Sequence, residues 1–430
     1  LMKKNLITLG CILLTFNGNL SALTLEEAIS ESLNNNLTIK MENSTLGIAE
    51  ENLLQSKVEF LPSISLSGSI SESETSGITT QAGVTGSEYE LSPSSKSIIL
   101  SQTIFNGFGR AYSLKSSKSE LELQKLNKFK TEQDITLETI EAYFNILASD
   151  KTLKSYEDNF KTVNERFSST KKEFEVGLSS KTDVAQSEAY YNAAKIDMLN
   201  AKISHQNIMN VFNNLVGAEA RNLSFSSING FLPESSTEFN ELVINNNLSI
   251  KMAQSNLDIK SSDVGIARSA YFPQVNLTAT KTELDEFSST VDEITNEEIE
   301  ATISWPIFNK GKSSSTVRQA EKLKNRYMIL LQKTQQDTLT LASNIWQKYS
   351  ISKDTLDAAN LSYLASQTAF EGTKIEQEVG ERTVLDVLNA RQSLLNAEIK
   401  LFNEQKNQEV IKAQVMYLAG ILTLENIRGI

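Results

Sequence analysis

Histidine and cysteine each occur once in these 430 residues, as His205 and Cys11. A lone cysteine cannot close an internal disulfide or build a CxxC-type zinc cluster. One histidine excludes a histidine-rich metal centre, so no metal or other cofactor is expected. His205 stands beside Ser204, Gln206 and Asn207 in a helical stretch with no catalytic constellation around it. No Gly-x-x-x-x-Gly-Lys-[Ser/Thr] phosphate loop occurs either. An enzyme is therefore not expected. With one histidine and 7 methionines, the soft ligands of a dedicated copper or silver pathway are scarce. Positive charge is also short: 41 Lys+Arg against 53 Asp+Glu give a net charge of −12. An acidic surface repels phosphate backbones, so a nucleic-acid partner is not expected. Only 5 prolines and 18 glycines interrupt the chain, which favours long helices.

Long apolar runs are missing too. The nearest is Leu6 to Phe16, preceded by Lys3 and Lys4 and followed by Leu20-Ser21-Ala22. About eleven apolar residues are too few to span a bilayer. The pattern is that of a cleaved secretory signal over residues 1–22. Cleavage after Ala22 removes two lysines and takes the charge from −12 to −14. Cys11 lies inside the apolar run, and Thr8-Leu9-Gly10 lacks the leucine of a lipobox, so it reads as a small apolar residue.

The remainder is a duplicated unit. Asn34-Asn35-Asn36-Leu37-Thr38-Ile39-Lys40-Met41 recurs as Asn245-Asn246-Asn247-Leu248-Ser249-Ile250-Lys251-Met252, seven identities in eight at an offset of 211. The same offset aligns Phe60-Leu61-Pro62 with Tyr271-Phe272-Pro273. Beyond this the offset becomes 203. Ile104-Phe105-Asn106 matches Ile307-Phe308-Asn309, Tyr143 matches Trp346, and Val176-Gly177 and Asp183-Val184 match Val379-Gly380 and Asp386-Val387. Collinear matches of this length mark two structural repeats, 23–217 and 241–430, joined by a linker at 218–240 without clear periodicity.

Each repeat carries the same signals. Thr24 with Glu27 three residues on predicts a helix from 24 to 58. Pro62 and Pro273 stop the helices at equivalent points. Period-2 alternation then predicts strands at about 61–71 and 97–106, and at about 273–281 and 298–308, each pair joined by a long loop. A helix from about Ala111 to Glu175 follows, with an apolar stripe Leu153, Tyr156, Phe160, Val163 and Phe167. After Gly177 a return helix is expected over 179–216. Narrow stripes on long helices point to coiled-coil packing.

Four strands cannot close a barrel, and apolar strands with open edges are not tolerated in lipid. Three chains supply twelve, above the minimum of about eight. Phe60, Phe105, Phe108, Tyr271, Phe272, Trp305 and Phe308 fall where helix meets strand. In an outer-membrane barrel this would be the periplasmic aromatic girdle, and the alternative is an aromatic core between helix and sheet.

The duplicated helix–strand–strand–helix pattern, the leader, the Pro62/Pro273 turns and the segments Val176-Gly177-Leu178…Asp183-Val184 and Val379-Gly380-Glu381-Arg382-Thr383-Val384-Leu385-Asp386-Val387 resemble the TolC-like outer-membrane efflux proteins over essentially the whole mature chain. The resemblance implies a mainly α fold with a small β part: a long coiled-coil α-barrel, and four strands per chain in a twelve-stranded barrel of a homotrimer. It implies an outer-membrane location, with the helical tunnel in the periplasm. The implied partners are outer-membrane lipid, a periplasmic adaptor and an inner-membrane transporter. It implies adaptor docking by Val176, Gly177, Leu178, Val379, Gly380 and Glu381, and a tip gate in which Asp183 links to Arg382. Two positions depart from the family pattern. Gln377 stands where a gate tyrosine is common, and Asn389 replaces a second acid of the constriction, leaving Asp386 as its carboxylate. Three aspartates rather than six imply cation preference with weaker block by multivalent cations.

A structural or adhesive periplasmic coiled coil is the alternative, but it leaves four amphipathic strands unexplained. Small-molecule efflux and type I protein secretion use similar ducts, and the residues do not choose between them.

Overall fold

The computed structural model describes residues 23–428 apart from 78, 80–81, 84–85, 87–88, 221–222 and 289–290. The expected signal at 1–22 lies outside the described residues. The chain reads α1(Leu25–Asn35), α2(Leu37–Val58), β1(Ser63–Ile70), β2(Ser73–Thr75), β3(Tyr89–Leu91), β4(Ser94–Asn106), α3(Gly109–Glu175) and α4(Lys181–Val216). It continues α5(Ser236–Asn246), α6(Leu248–Ser269), β5(Gln274–Ser288), β6(Val291–Ser304), α7(Lys312–Glu378), α8(Val384–Leu418) and α9(Leu424–Arg428). The two long helices have 67 residues each, about 100 Å at 1.5 Å per residue. The shorter helices α2 and α4 both pack along α3, as α6 and α8 do along α7.

Thr24 and Glu27 form the expected capping box on α1. The single helix expected over 24–58 is two. Asn36 leaves the helical region (φ −61, ψ 126) and its side chain accepts from the Thr38 amide at 2.8 Å. Asn247 does the same in the second repeat, where its side chain accepts from Ser249 and Ile250. Asparagine competes well for backbone amides at an N-cap, so the Asn runs end one helix and start the next. Among the described residues of 218–240 no helix or strand precedes α5, which begins at Ser236.

The four long strands form one antiparallel sheet in the order β1-β4-β5-β6, with β1 and β6 at its edges. The register sorts the two faces. Ile64 pairs with Leu100 and Leu100 with Ala279, while Leu66 pairs with Ile98 and Phe105 with Val275. Ala279 pairs with Ile299, Leu277 with Ala301 and Val275 with Ile303. These residues share one face, which the chain leaves uncovered: Leu66 is 79% exposed and Ile299 80%. The other face carries Ser65, Ser67, Ser97, Ser101, Thr278, Thr280, Glu298 and Glu300. One side thus suits hydrocarbon and the other water.

Two strand expectations are corrected. The second repeat has no long loop: β5 ends at Ser288 and β6 begins at Val291, and the two pair antiparallel from Gln274 with Ser304 up to Ser288 with Val291. The charged stretch Asp292-Glu293 to Glu297-Glu298 offers no apolar alternation, so periodicity missed it. The strand expected to reach 308 ends at Ser304, because Pro306 has no N–H and holds Trp305 out of the ladder. Only the first repeat has a longer connection, carrying the small β2–β3 ladder.

Midway along the long helices both repeats bury a core. Tyr143, Phe144 and Phe212 pack with Leu25 and Ile29 of α1 and Met416 of α8. The equivalent Trp346 stacks on Phe239 of α5 at 5.6 Å. Glu409 of α8, 2% exposed, accepts from the Ile228 amide at 2.7 Å, the Ser227 hydroxyl and the Lys412 ammonium, pinning the linker to the helices.

Candidate functional site: the tip and the aromatic rim

The far end of the helices is built twice from one recipe. α3 ends at Glu175, and Gly177 takes φ +81. The Leu178 amide then reaches back to the Glu173 carbonyl at 2.7 Å, and Gly177 N–H to the Phe174 carbonyl at 3.0 Å. In the second repeat Gly380 takes φ +84, Glu381 N–H reaches Glu376 O at 2.9 Å, and Gly380 N–H reaches Gln377 O at 3.0 Å. These are paired left-handed C-caps that only glycine enters without strain. Apart from each glycine's own chain neighbours, no atom of the described residues lies within 4 Å of an added Cβ at either position. Val176, Leu178 and Val379 stand outward, 70%, 81% and 70% exposed, with Gly177, Gly380 and Glu381 in the same exposed turns.

Three residues further, each return helix starts with a capping box. Ser180 caps α4 through Asp183, whose Oδ2 accepts from the Ser180 hydroxyl at 2.6 Å and its amide at 2.9 Å. Thr383 caps α8 through Asp386 in the same way, at 2.7 and 2.9 Å. The cap bonds hold both carboxyls below the ordinary value of 3.8, with Ser180 and Thr383 as the leading causes. For a depressed acid the stabilisation is complete above its unfolded pKa and is lost as pH falls through the folded value. Tip helicity should therefore stay flat from neutral pH down to about pH 4 and decline only below it. A decline centred near pH 6, followed by amide exchange at 181–186, would contradict the assignment.

Asp183, Gln377 and Arg382 line one cavity between the two turns, together with Leu178, Gly380 and Thr383. Inside the chain they hold other partners. Arg382 Nε donates to Glu376 at 2.8 Å, and this carboxylate is the first cause of its raised pKa. Gln377 accepts from Arg166 at 2.9 Å. Asn389 accepts from the Tyr190 hydroxyl at 3.0 Å. Arg166 and Tyr190 have no counterpart at the offset of 203, where Ala369 and Ser393 stand, whereas Glu376 is matched by Glu173. Arg391 is a further addition: it is 6% exposed, 3.5 Å from Glu398, and bridges α8 to the Ser155 carbonyl of α3. Its signal was a cation set among Val387, Leu388, Leu394 and Leu395.

Asn389→Asp keeps the acceptor for Tyr190 and adds a charge. The expected result is block by trivalent cations at roughly tenfold lower concentration. Unchanged block in channel recordings would remove Asn389 from the constriction.

At the opposite end, the residues of the expected girdle meet at the base of the sheet. Phe105 and Phe108 lie edge to face at 5.2 Å, and Phe108 and Phe272 at 6.0 Å. The Trp305 indole N–H donates to the Tyr271 carbonyl at 3.0 Å. Arg110 sits over Phe60 at 4.9 Å and donates to the carbonyls of Glu59 and Ile104. Phe308 is 84% exposed. Pro62 and Pro273 stand at the two helix-to-strand turns, between Val58 and Ser63 and between Ser269 and Gln274. His205 lies elsewhere, in the α3–α4 seam, bonded to Ser149 at 2.9 Å.

Residues 28–218 and 241–420 match the family model described as outer membrane efflux protein. Outer membrane efflux protein BepC of Brucella suis is 24% identical over 412 residues, 94% of this chain and 87% of the relative. Outer membrane protein TolC of Escherichia coli is 22% identical over 446 residues, 99% of this chain and 88% of the relative. The crystal structure of the Campylobacter jejuni CmeC outer membrane channel superposes with a TM-score of 0.84 at 20% identity, covering 93% of this chain and 86% of that one.

Proposed function

The chain belongs to the outer membrane efflux protein family, and from that premise we propose that three copies form the passive exit duct of a tripartite efflux or type I secretion system. The observation that carries this reading is the four-stranded sheet with one bare apolar face, one polar face and two unpaired edges. Such a sheet is stable in lipid only when closed. Because β1, β4, β5 and β6 alternate in direction, β6 of one copy meets β1 of the next antiparallel, and three copies give twelve strands. The apolar face meets outer-membrane lipid, with the aromatic rim as its periplasmic girdle.

The helices continue the barrel as a tunnel. Val176, Gly177, Leu178, Val379, Gly380 and Glu381 dock a periplasmic adaptor that connects to an inner-membrane transporter. The exposed valines and leucine and the open space around both glycines support this. Asp183 and Arg382 close the tip between neighbouring chains, where Asp183 retains Oδ1 free of its cap. Gln377, held by Arg166, takes the place of a gate hydroxyl. Asp386 supplies the constriction charge with Asn389 beside it.

The test is extraction. The protein should remain in the outer-membrane fraction through carbonate washing, and detergent should release it as a trimer. Release by buffer as a soluble rod would overturn the reading in favour of a periplasmic coiled coil.

A further inference from the structure

The chain carries a net charge of −12, yet the helices next to the sheet are basic. Residues 109–118 hold Arg110, Lys115 and Lys118 and no acid. Residues 309–326 hold six cations, Lys310, Lys312, Arg318, Lys322, Lys324 and Arg326, against the single acid Glu321. The end of α2 does not share this bias, since Glu50, Glu51 and Glu59 outnumber Lys57. The positive charge therefore gathers over α3 and α7, while α6 between them is balanced over residues 258–269, Asp258 and Asp263 against Lys260 and Arg268.

A groove of about 630 Å³ lies within this basic zone, lined by Phe108, Lys115, Arg268, Phe272, Glu321 and Lys324 among others. Three cations face one anion, and that anion is bonded to Arg268 at 2.8 Å. Lys115 and Lys324 have no carboxylate partner among the described residues. The groove's orientation follows from its aromatic roof. Phe105 shares the apolar face of the sheet with Val275 and Ile303, and Phe108 and Phe272 join it edge to face. The groove thus opens on the outer side, immediately below the apolar band. Its floor is α6, which packs between α3 and α7 of the same chain, so the site is complete within one copy.

We propose that this groove binds the headgroup of an anionic phospholipid from the periplasmic leaflet. The phosphate is held by Lys115, Lys324 and Arg268, and the acyl chains rise along Phe108 and Phe272 onto the apolar face. Cations directly beneath a bilayer select anionic headgroups, and aromatic side chains fit the same boundary. This inference rests on the reading that the apolar face lies in the bilayer.

Trp305 reports on the site, because its indole is bonded to the Tyr271 carbonyl, one residue from Phe272. The protein with Trp346→Phe, leaving Trp305 as its tryptophan, is reconstituted in vesicles of phosphatidylcholine and phosphatidylglycerol, one of them brominated in turn. Quenching by either brominated lipid reports insertion, independently of headgroup choice. The ratio of the two reports selectivity. The expected result is a preference for phosphatidylglycerol of roughly fivefold or more. It should fall to about parity in Lys115→Gln/Lys324→Gln and persist in Lys118→Gln/Lys322→Gln, with excess inorganic phosphate having no effect. Equal quenching by both lipids in the unaltered groove would overturn the site. So would equal loss in the two lysine variants, which would make the effect a diffuse collar, or displacement by inorganic phosphate, which would make it a free-anion site.

Discussion

Replacing Asp183 and Arg382 together by alanine should raise single-channel conductance roughly severalfold over the unaltered protein. The reasoning is one of number and position. An isolated exposed pair contributes little, but in the proposed trimer a three-fold ring would repeat it at the tip, where each link would bear on the same opening. The contacts inside one chain allow the gate to be separated from simple helix capping. Asp183→Asn retains an acceptor for Ser180 and removes only the charge. If the gate is ionic, it should leak like the alanine variant. If Asp183 serves only the α4 cap, the asparagine variant should conduct like the unaltered protein. Glu376→Ala removes the partner of Arg382 within the chain and should move conductance far less than Arg382→Ala. The reverse order would place the working ion pair inside one chain.

The second large effect concerns assembly of the two repeats. Glu409 is buried, and its carboxylate holds Ile228 N–H, Ser227 and Lys412 together. Glu409→Ala leaves the Ile228 amide without its acceptor and the Lys412 ammonium with the Ser227 hydroxyl in place of a carboxylate. Breaking a buried pair in this way costs on the order of 3–5 kcal/mol. The melting temperature of the detergent-solubilised protein should fall clearly, and proteolysis should begin within 218–235. Glu409→Gln preserves shape and one acceptor and should lose much less. Equal melting of the alanine variant and the unaltered protein would show that the linker is not held by this cluster.

Both results bear on how much of this molecule was legible in its residues. The duplication was, since Pro62 and Pro273, Gly177 and Gly380, and Tyr143 and Trp346 stand at fixed offsets and do equivalent jobs in the fold. The apolar strand faces were legible wherever Ile and Leu alternate. Legibility failed where the physics leaves no period. The upper part of the β5–β6 hairpin is charged on both faces, and its ladder is set by backbone pairing with the neighbouring strand. The break at Asn36 was written in the sequence, but a helical pattern on both sides hid a cap in the middle. At the tip, the family resemblance pointed to Arg382 and Asn389, and the repeat spacing to Asp183 and Asp386. It could not find that two of these acids are first engaged as caps. Nor could it find Arg166 and Tyr190, whose contacts with Gln377 and Asn389 join residues distant in sequence.

The central claim is a continuous aqueous path through lipid, and single-channel recording of the unaltered protein in planar bilayers tests it most directly. The expected result is discrete steps of small conductance that favour cations, as the polar sheet face with Glu298 and Glu300 and the tip aspartates require. A detergent-stable trimer that gives no steps, or one that favours anions, would contradict the account.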